Sequence, residues 1–321
     1  MTARVRVPAS SSNLGAGFDC VGVAVDRWLV ASVTPAAGSG ISIRRRGRLT
    51  AVSVAFDEDL VSRGFRAACS AAGTPATGAA IDATSDIPVG CGLGSSAAAI
   101  VAGVLLADAA LELNLTRPQI VEIAAAIEGH PDNVAPAIYG GAVLSVRTSS
   151  GLVSTPLSVA GGLELLLAVP PFPSDTKAAR AALPKTLPHS DAVLAASRAA
   201  ALVQGLSTGD GALLGAALDD VLHVPFRRGR IPGYDAVVAA AQKAGAFGAT
   251  LSGAGSAILA IAPRERSTAV GAAMIAAWRA IGIEAELIKG SSPVTGATVT
   301  DPPRTVHRAP LPIQPVSSEL S

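Results

Sequence analysis

A glycine-rich turn that runs directly into an alanine-rich helix is the feature that most limits how this chain folds. Residues 86–99 read DIPVGCGLGSSAAA, with three glycines at alternate positions followed by two serines. Glycines let a backbone curve closely around a ligand, and the free N–H groups at the start of a helix attract anions. Serine hydroxyls can contact a phosphate or a Mg²⁺ ion bound to it. The segment therefore predicts a phosphate site at a helix N-terminus.

Two familiar phosphate-binding loops do not match this turn. The Walker loop GxxxxGK[ST] needs a lysine that this segment lacks, and the dinucleotide pattern GxGxxG would place glycine where Ser95 stands. A structural turn capped by serine is the alternative interpretation of the segment on its own. Other parts of the chain therefore have to decide whether it binds phosphate.

Composition argues against a membrane protein despite a mean hydropathy of +0.47. Hydrophobic residues make up 50% of the 321 residues, but aromatic residues make up only 3% and much of the apolar content is alanine. A membrane-spanning helix needs about 20 consecutive apolar residues, and the best candidate, residues 97–111, is interrupted by Asp108. Arg4 and Arg6 are not followed by the apolar stretch of a secretory signal. We expect no membrane association.

Charge and cysteine content argue against two further classes of protein. The chain has 25 basic and 24 acidic residues, and its basic cluster Arg44–Arg46 suits a solvated strand edge. A nucleic-acid-binding protein usually shows a basic stripe with stacking aromatic residues, so we expect no nucleic-acid partner. Cys20, Cys69 and Cys91 have neither CxxC spacing nor an even number, which favours a reducing cytoplasm over a disulfide framework or a zinc site.

The order of predicted elements favours an α+β fold in two domains. Short alternating segments predict strands in the first third, and two helices follow, one from Ser95 and one opened by a capping box at Thr116–Gln119. Strands and helices then continue without a strict βαβ repeat. A break at Ser149–Gly151 predicts a boundary between residues 1–150 and residues 151–290. Residues 291–321 are rich in Pro, Ser and Thr, which predicts a flexible tail.

Three further segments carry polar and small residues in dense runs. Residues 8–19 read PASSSNLGAGFD, residues 128–136 read EGHPDNVAP, and residues 251–257 read LSGAGSA. Together with the glycine-rich turn they closely resemble the motifs of the GHMP family of small-molecule kinases, and the resemblance spans roughly Val5 to Ile288. Within that family, the first two of these segments resemble the members that act on homoserine.

The resemblance implies a fold and an activity. The family fold joins an N-terminal nucleotide-binding domain like ribosomal protein S5 to a C-terminal ferredoxin-like α/β plait domain. Its members transfer the γ-phosphoryl group of ATP to a substrate hydroxyl, with Mg²⁺ as cofactor. Here the implied acceptor is the side-chain hydroxyl of L-homoserine, and the product is O-phospho-L-homoserine for threonine biosynthesis. Whether the chain forms a homodimer is left open.

The resemblance also implies which residues bind the nucleotide and its metal ion. Ser96, or Ser95 if the register is shifted by one, and Glu128 would hold Mg²⁺ through oxygen ligands. An ordinary last-turn carboxylate is the alternative for Glu128, although an acid is unfavourable at a helix C-terminus. The triphosphate would lie on Pro88, Val89, Gly90, Cys91, Gly92, Leu93, Gly94, Ser95, Ser96 and Ala97.

The acceptor site is implied position by position. Asp19 would pair with the ammonium group of the amino acid, and two arginines would bind its carboxylate through their planar guanidinium groups. Arg228 and Arg230 lie close enough to Arg227 for a shift of register. Turn formation for the asparagine and aspartate, internal hydrogen bonding for the histidine and solvation for the arginines are the alternatives. The implied residues are Asn13, Asp19, His130, Asn133, Thr176, Arg180 and Arg227.

The residue type at position 133 bears on the mechanism. Mevalonate-type relatives use an aspartate base where this chain has Asn133, and an amide cannot accept a proton at neutral pH. We therefore expect Asn133 to orient the hydroxyl while Glu128, Ser96 and the loop stabilise charge. The γ-phosphate itself, or solvent, would take the proton.

Cys91, inside the loop, has two interpretations. The nearby helix N-terminus would lower the pKa of its thiol and leave it open to a maleimide until Mg·ATP covers it. Alternatively it is a tolerated small residue with a buried, inert sulfur.

The same residues argue against three rival functions. A GHMP kinase of the mevalonate or sugar type is disfavoured by Asn133 and by the two arginines together with Asp19. A non-catalytic nucleotide-binding protein is disfavoured because Glu128 and the paired serines are intact. A serine hydrolase would need a GxSxG elbow, which the sequence lacks.

Overall fold

A computed structural model describes residues 2–38, 40–55, 57–290 and 293–300, whose strands form two sheets. The strands are β1 (Ala3–Asn13), β2 (Gly17–Pro35), β3 (Ile41–Gly47), β4 (Ala79–Ser85), β5 (Ala142–Thr148), β6 (Gly151–Leu157), β7 (Leu163–Val169), β8 (Gly248–Leu251), β9 (Ile258–Pro263), β10 (Glu286–Gly290) and β11 (Thr298–Thr300). The helices are α1 (Leu60–Ala71), α2 (Ser95–Leu111), α3 (Arg117–Glu128), α4 (Val134–Tyr139), α5 (Thr176–Ala181), α6 (His189–Thr208), α7 (Gly211–Leu218), α8 (Val224–Arg227), α9 (Tyr234–Lys243) and α10 (Ser267–Arg279).

The first sheet branches at its longest strand, β2. One side of β2 pairs with β1, while on the other side residues 21–23 pair with β5 and residues 29–35 pair with β4. The strand order is β11-β1-β2-β4-β3, and β6 pairs with β5. β3 and β4 run parallel. Because a tight turn joins β1 to β2, the polar segment around residues 13–19 lies at one end of this sheet.

Helix α2 is apolar on every side and buried over residues 97–108. It packs against α1, α3 and the first two strands. A helix without a polar face belongs in the interior of a domain, so its N-terminus is held firmly where the glycine-rich turn ends. The helix predicted from Ser95 is confirmed. So is the capping box of α3, in which Thr116 and Gln119 bond to each other's backbone N–H groups.

The second sheet has the order β10-β7-β9-β8, and β7 buries all of its residues. Side chains alternate across a strand, so Leu165 and Leu167 join the core that includes leucines of α6 and α7. Leu166 and Ala168 face the other way, into the core that contains Trp278 of α10. β7 therefore ties the two cores together. The α+β organisation agrees with the prediction.

The residues predicted to mark a boundary near residue 150 lie within the first sheet. Ser149 and Ser150 form the turn of the β5–β6 hairpin, in which Thr148 pairs with Gly151. The chain leaves the first sheet after Leu157 and enters the second at Leu163. Hairpins and linkers use the same turn residues, so the composition predicted a turn but could not distinguish a hairpin from a linker between domains.

The tail predicted from residue 291 is partly wrong. Strand β11 pairs with β1, with Arg4 opposite Thr300. Gly141 N donates to Val294 O at 2.9 Å, and Ala297 N donates to Ala137 O at 2.8 Å. Residues 293–300 therefore return to the first sheet and hold α4. The rest of the predicted tail, residues 291, 292 and 301–321, lies outside the described residues.

Across the described ranges, none of the helices combines the length and apolar character needed to cross a membrane.

Candidate active site

The motif segments meet around one cavity of about 340 Å³, which is lined from both halves of the chain. Of the predicted loop residues, Pro88, Cys91 and Ala97 do not line it, whereas Val89, Gly90, Gly92, Leu93, Gly94, Ser95 and Ser96 do. Every predicted residue outside the loop lines it: Asn13, Asp19, Glu128, His130, Asn133, Thr176, Arg180 and Arg227.

The glycine-rich turn approaches other backbone very closely. Gly94 is the N-cap of α2, and Gly92 has a φ of 78° in the left-handed region. A Cβ atom added at Gly92 would lie 2.1 Å from the carbonyl oxygen of Ser252. Position 92 therefore needs glycine for both its conformation and its contact. The LSGAG segment, which contains Ser252, packs directly against the loop.

The loop's carbonyl oxygens are taken by other parts of the chain. Those of residues 90–93 accept hydrogen bonds of 2.5–3.1 Å from Ser174 N, Ala257 N, Ser252 Oγ and Ser10 N, respectively. Among the described residues, no side chain at the N-cap position bonds to the first turn of α2. The loop thus turns its acceptors toward the protein, and the N–H groups at the start of α2 suit an anion.

A hydroxyl and a carboxylate lie together beside this helix N-terminus. Ser96 donates a hydrogen bond to Glu128 Oε1 at 2.5 Å. Burial raises the pKa of Glu128, and the Ser96 hydrogen bond and the charge of His130 offset part of that rise. Hard oxygen ligands of this kind suit a divalent cation such as Mg²⁺. Ser96, of the two serines considered, is the one that bonds to Glu128.

One wall of the cavity is apolar, and sequence reasoning missed it. Arg45 and Asp59 lie at this wall as an ion pair with Nη2–Oδ2 of 2.6 Å, and Asp59 also caps α1. An apolar slot next to a phosphate loop fits the flat base of a nucleotide. These residues form no contiguous motif that a sequence search could find. The apolar side chains are Ile43, Leu49, Val52, Val54, Leu60 and Val61.

Two buried asparagines tie the motif segments to one another. Asn133 accepts from Ser10 Oγ at 2.9 Å and donates to Ser12 Oγ at 3.0 Å. Asn13 accepts from the backbone N–H of Asp19 at 3.0 Å and donates to Gly253 O at 3.1 Å. Each amide therefore links two segments that lie far apart in the sequence. Ser10, Ser12 and Gly253 were not predicted as site residues, although all lie in the quoted motifs.

Four charged or titratable side chains that line the cavity form two pairs. Arg180 donates two hydrogen bonds to Asp19, at 2.8 and 3.0 Å. His130 Nδ1 lies 2.5 Å from Oδ1 of the buried Asp132. Burial alone would lower the pKa of His130, but the hydrogen bond to Asp132 and the charges of Asp132, Glu128 and Asp19 raise it. Asp132 was missed, because the prediction took only its neighbours from the EGHPDN segment.

Arg227 is 3% exposed, although it carries a full charge. Its Nε donates to Ala179 O at 3.2 Å, and Nη1 donates to Gly253 O at 3.4 Å. Within the described part of the chain it forms no ion pair with a carboxylate. Burial, and then the charge of Arg180, lower its pKa. A buried guanidinium that lines a cavity without a carboxylate partner is suited to an anionic ligand.

The three arginines of this segment differ in exposure and in whether they line the cavity. Arg228 is exposed and pairs with Asp235 at 3.3 Å, and Arg230 is exposed as well. Only Arg227 of these three lines the cavity. Thr176, the first residue of α5, lines the same cavity.

Two aromatic rings were also missed at the acceptor end, the part of the cavity lined by Asp19, Arg180 and Arg227. Phe18 stacks on His223 with ring centroids 5.0 Å apart, and the guanidinium carbons of Arg180 and Arg227 lie 5.7 and 5.4 Å from the Phe18 ring centre. Phe18 lies in the quoted NLGAGFD segment, directly before Asp19. A search of that motif for aromatic residues would have found it.

Cys91 follows its second interpretation. The side chain is buried, and burial raises the pKa of its thiol, with Ser256 and Arg48 offsetting part of that rise. Its sulfur lies 3.4 Å from Val89 O. The expectation of a lowered pKa is therefore wrong, because removal from water outweighs proximity to the helix N-terminus.

Two family models match the chain, one in each half. The model described as "GHMP kinases N terminal domain" matches residues 59–141, and "GHMP kinases C terminal" matches residues 199–280.

Two curated relatives match this chain over most of their own length. A homoserine kinase of Synechococcus sp. is 40% identical over 285 residues, which cover 88% of this chain and 93% of the relative. A homoserine kinase of Gloeobacter violaceus is 43% identical over 289 residues, which cover 85% of this chain and 92% of the relative.

Solved structures extend the similarity to the fold. The crystal structure of homoserine kinase from Cytophaga hutchinsonii matches with a TM-score of 0.84 at 32% identity, covering 93% of this chain and 97% of that one. Mevalonate kinase of L. major in complex with R-mevalonate matches with a TM-score of 0.64 at 17% identity, covering 88% and 94%. The second similarity concerns the fold alone.

Proposed function

Because the chain belongs to the GHMP kinase family, we propose that it is a homoserine kinase. It transfers the γ-phosphoryl group of ATP to the side-chain hydroxyl of L-homoserine. The products are ADP and O-phospho-L-homoserine, which feeds threonine biosynthesis.

The observation that carries the proposal is the charge pattern beside the phosphate loop. Arg227 is a buried cation that lines the cavity, and the Asp19–Arg180 pair lines it too. An amino acid brings one ammonium and one carboxylate group, which match an aspartate and two arginines. Mevalonate and simple sugars have no ammonium group to pair with Asp19. The charges therefore favour a zwitterionic acceptor.

The nucleotide would lie along the loop and the apolar wall. Backbone N–H groups and the dipole of α2 would hold the phosphates, in the place of a P-loop lysine. Ser96 and Glu128, 2.5 Å apart, fit a magnesium ion by the chemistry of their oxygens. Bound there, Mg²⁺ would neutralise phosphate charge during transfer.

The acceptor hydroxyl would be oriented by Asn133. Its amide already bonds to Ser10 and Ser12, and it retains one N–H and one lone pair beyond those bonds. The hydroxyl oxygen forms a bond to the γ-phosphorus as the bond from that phosphorus to the ADP oxygen breaks. The hydroxyl proton passes to the transferred phosphate or to solvent. In this scheme Asn133 orients the acceptor and acts as no base.

A coupled ADP-release assay with Mg·ATP tests the assignment against L-homoserine, mevalonate and galactose. We expect turnover with homoserine alone. Turnover of mevalonate or galactose without turnover of homoserine would make the chain a GHMP kinase of another specificity.

A further inference from the structure

The ring of Phe18 lies beside both arginines of the acceptor end. The guanidinium carbons of Arg180 and Arg227 lie 5.7 and 5.4 Å from its centre, within the range of a cation–π contact. His223 stacks on the same ring at 22° between planes. Phe18 therefore joins two guanidinium groups and an imidazole into one cluster.

The imidazole of His223 is held as a neutral acceptor for Arg227. It is fully buried, with Nδ1 3.4 Å from Arg227 Nη1 and Nε2 3.3 Å from Gly15 O. Since a guanidinium only donates and a carbonyl only accepts, the ring must carry its proton on Nε2 alone. Burial lowers the pKa of His223; the charge of Asp220 offsets part of that fall, and the charge of Arg227 adds to it.

The backbone beneath the imidazole is fixed by a buried carboxylate. Asp220 Oδ2 accepts from the N–H groups of His223 and Val224, each at 2.7 Å. These residues start α8, which carries Arg227 at its end. The imidazole and the guanidinium therefore keep a set distance from each other.

Two like charges that converge on one site need such support. Arg180 and Arg227 repel each other, and only Arg180 has a carboxylate partner, Asp19, within the described residues. The electron-rich face of Phe18 attracts both cations, and His223 accepts a hydrogen bond from the buried one.

We propose that Phe18 and His223 are positioning residues that give the site its specificity for a substrate carboxylate. They hold Arg227 and Arg180 so that one carboxylate can bind both, and they touch neither ATP nor the reacting hydroxyl. This inference rests on the proposed function, since it concerns the carboxylate of the amino-acid acceptor.

Three ligands separate a carboxylate-specific role from a general one. L-homoserine carries both charged groups, 4-hydroxybutyrate lacks the ammonium, and 3-aminopropan-1-ol lacks the carboxylate. Their dissociation constants are measured by calorimetry with a non-hydrolysable ATP analogue bound. These values do not depend on turnover, so a chain that fails to phosphorylate homoserine refutes the proposed function separately.

The first variant removes the aromatic face and keeps apolar bulk. Phe18→Leu should raise the dissociation constants of homoserine and 4-hydroxybutyrate by about 10-fold, which is the scale of two lost cation–π contacts. The dissociation constant of 3-aminopropan-1-ol should change by no more than about twofold, because that ligand has no carboxylate for the arginines to bind. Phe226→Leu, on the exposed face of α8, is the matched control and should change none of the three. An equal loss for all three ligands with Phe18→Leu would overturn the proposal.

A pair of variants at position 223 separates stacking from hydrogen bonding. His223→Phe keeps a ring but cannot accept a hydrogen bond from Arg227. The dissociation constants of the two ligands that carry a carboxylate should therefore rise by about 10-fold or more. His223→Asn places an acceptor near the position of Nδ1 and should bind them more tightly than His223→Phe. Thermal unfolding of each variant reports whether it folds. Two folded variants that bind the carboxylate ligands as tightly as the unaltered protein would overturn the proposal.

Discussion

The phosphate loop and the acceptor end of the cavity are built in opposite ways. The loop is a contiguous run whose carbonyls are held by other segments, so the groups that it can offer to an anion are backbone N–H dipoles. The acceptor end is made of side chains from separate segments, with full charges on Asp19, Arg180 and Arg227. A backbone site is damaged by adding atoms, whereas a side-chain site is damaged by removing them.

The largest effect should come from adding one methyl group to the loop. Gly92→Ala would place its Cβ 2.1 Å from Ser252 O and strain a residue whose φ is 78°. Overpacking costs about 1–3 kcal/mol or more and left-handed strain about 1–2 kcal/mol, so kcat/KM for ATP should fall by up to roughly 10³-fold.

Gly282→Ala is the matched control for the strain alone. Its φ is 79°, but nothing lies within 4 Å of the added Cβ. It should lower stability by about 1–2 kcal/mol and leave activity unchanged. Equal losses of activity in both variants would show that contact with the LSGAG segment does not matter.

The next largest effect on activity should come from removing a neutral group at the acceptor end. Asn133→Ala deletes the amide between Ser10 and Ser12 and should lower kcat by about 10²–10³-fold, the scale of one positioned polar group. Asn133→Asp keeps the shape and supplies a base, and we expect no gain from it. A large rise in kcat with Asp would show that the enzyme lacks a base and that proton transfer limits it.

Removal of the buried charge should be felt in acceptor binding. Arg227→Ala should raise the KM for homoserine by roughly 30-fold or more, because a desolvated charge pair is worth about 2–5 kcal/mol. Arg228→Ala is the control, since this neighbour is exposed and pairs only with Asp235 among the described residues. Steady-state kinetics with saturating ATP measure both. A larger effect for Arg228 would place the register of the segment one residue later.

Substitution of Glu128 should affect both activity and stability. Glu128→Gln keeps one oxygen ligand but loses its charge, and activity should fall by about 10- to 100-fold. Stability should rise at neutral pH, because burial raises the pKa of the carboxyl and the ionised form is unfavourable in the folded protein.

The sign of this stability effect depends on pH. The folded protein holds the Glu128 proton to higher pH than the unfolded chain does, so stability falls as pH rises through that window. The Gln variant avoids this fall. Thermal melts at pH 4 and pH 7 should therefore differ between the two proteins at the higher pH only. A variant that is less stable at both would show that the carboxylate is paired favourably.

The smallest effect should come from the side chain inside the loop. Maleimide at neutral pH should leave Cys91 unlabelled with or without Mg·ATP, because its thiol is buried and its pKa is raised. Cys20, which is only half-buried, should label slowly, and faster as pH approaches its pKa of about 11. Peptide mapping separates the sites. Rapid labelling of Cys91 would mean that the loop opens far more than its contacts indicate.

The two regions also differ in how well the sequence predicted them. The glycine-rich turn and the start of helix α2 were predicted from adjacent residues, since glycine, serine and alanine act there through local backbone conformation. Phe18 and His223 were missed because they stack on each other across two segments that lie far apart in the sequence. Asp132 bonds to His130 within its own segment and was missed because only its neighbours were predicted. The apolar wall was missed because its residues form no contiguous motif.

Errors in organisation have a related origin. The turn at Ser149–Ser150 and the segment 293–300 have the composition of linkers and tails. Whether such residues join a sheet depends on the strand that lies next to them. In the first case that strand is β5, which also pairs with β2, and in the second it is β1.

The sequence by itself determined the family motifs, the glycine-rich turn, the start of α2 and the α3 capping box, all of which depend on neighbouring residues. Only the tertiary structure decided that Ser96 bonds to Glu128, that Arg227 rather than Arg228 or Arg230 is buried, and that Cys91 is inaccessible. Burial and pairing of charge depend on groups distant in the sequence. Desolvation then shifts the pKa of each buried side chain, and the extent of burial cannot be read from the neighbouring residues in the sequence.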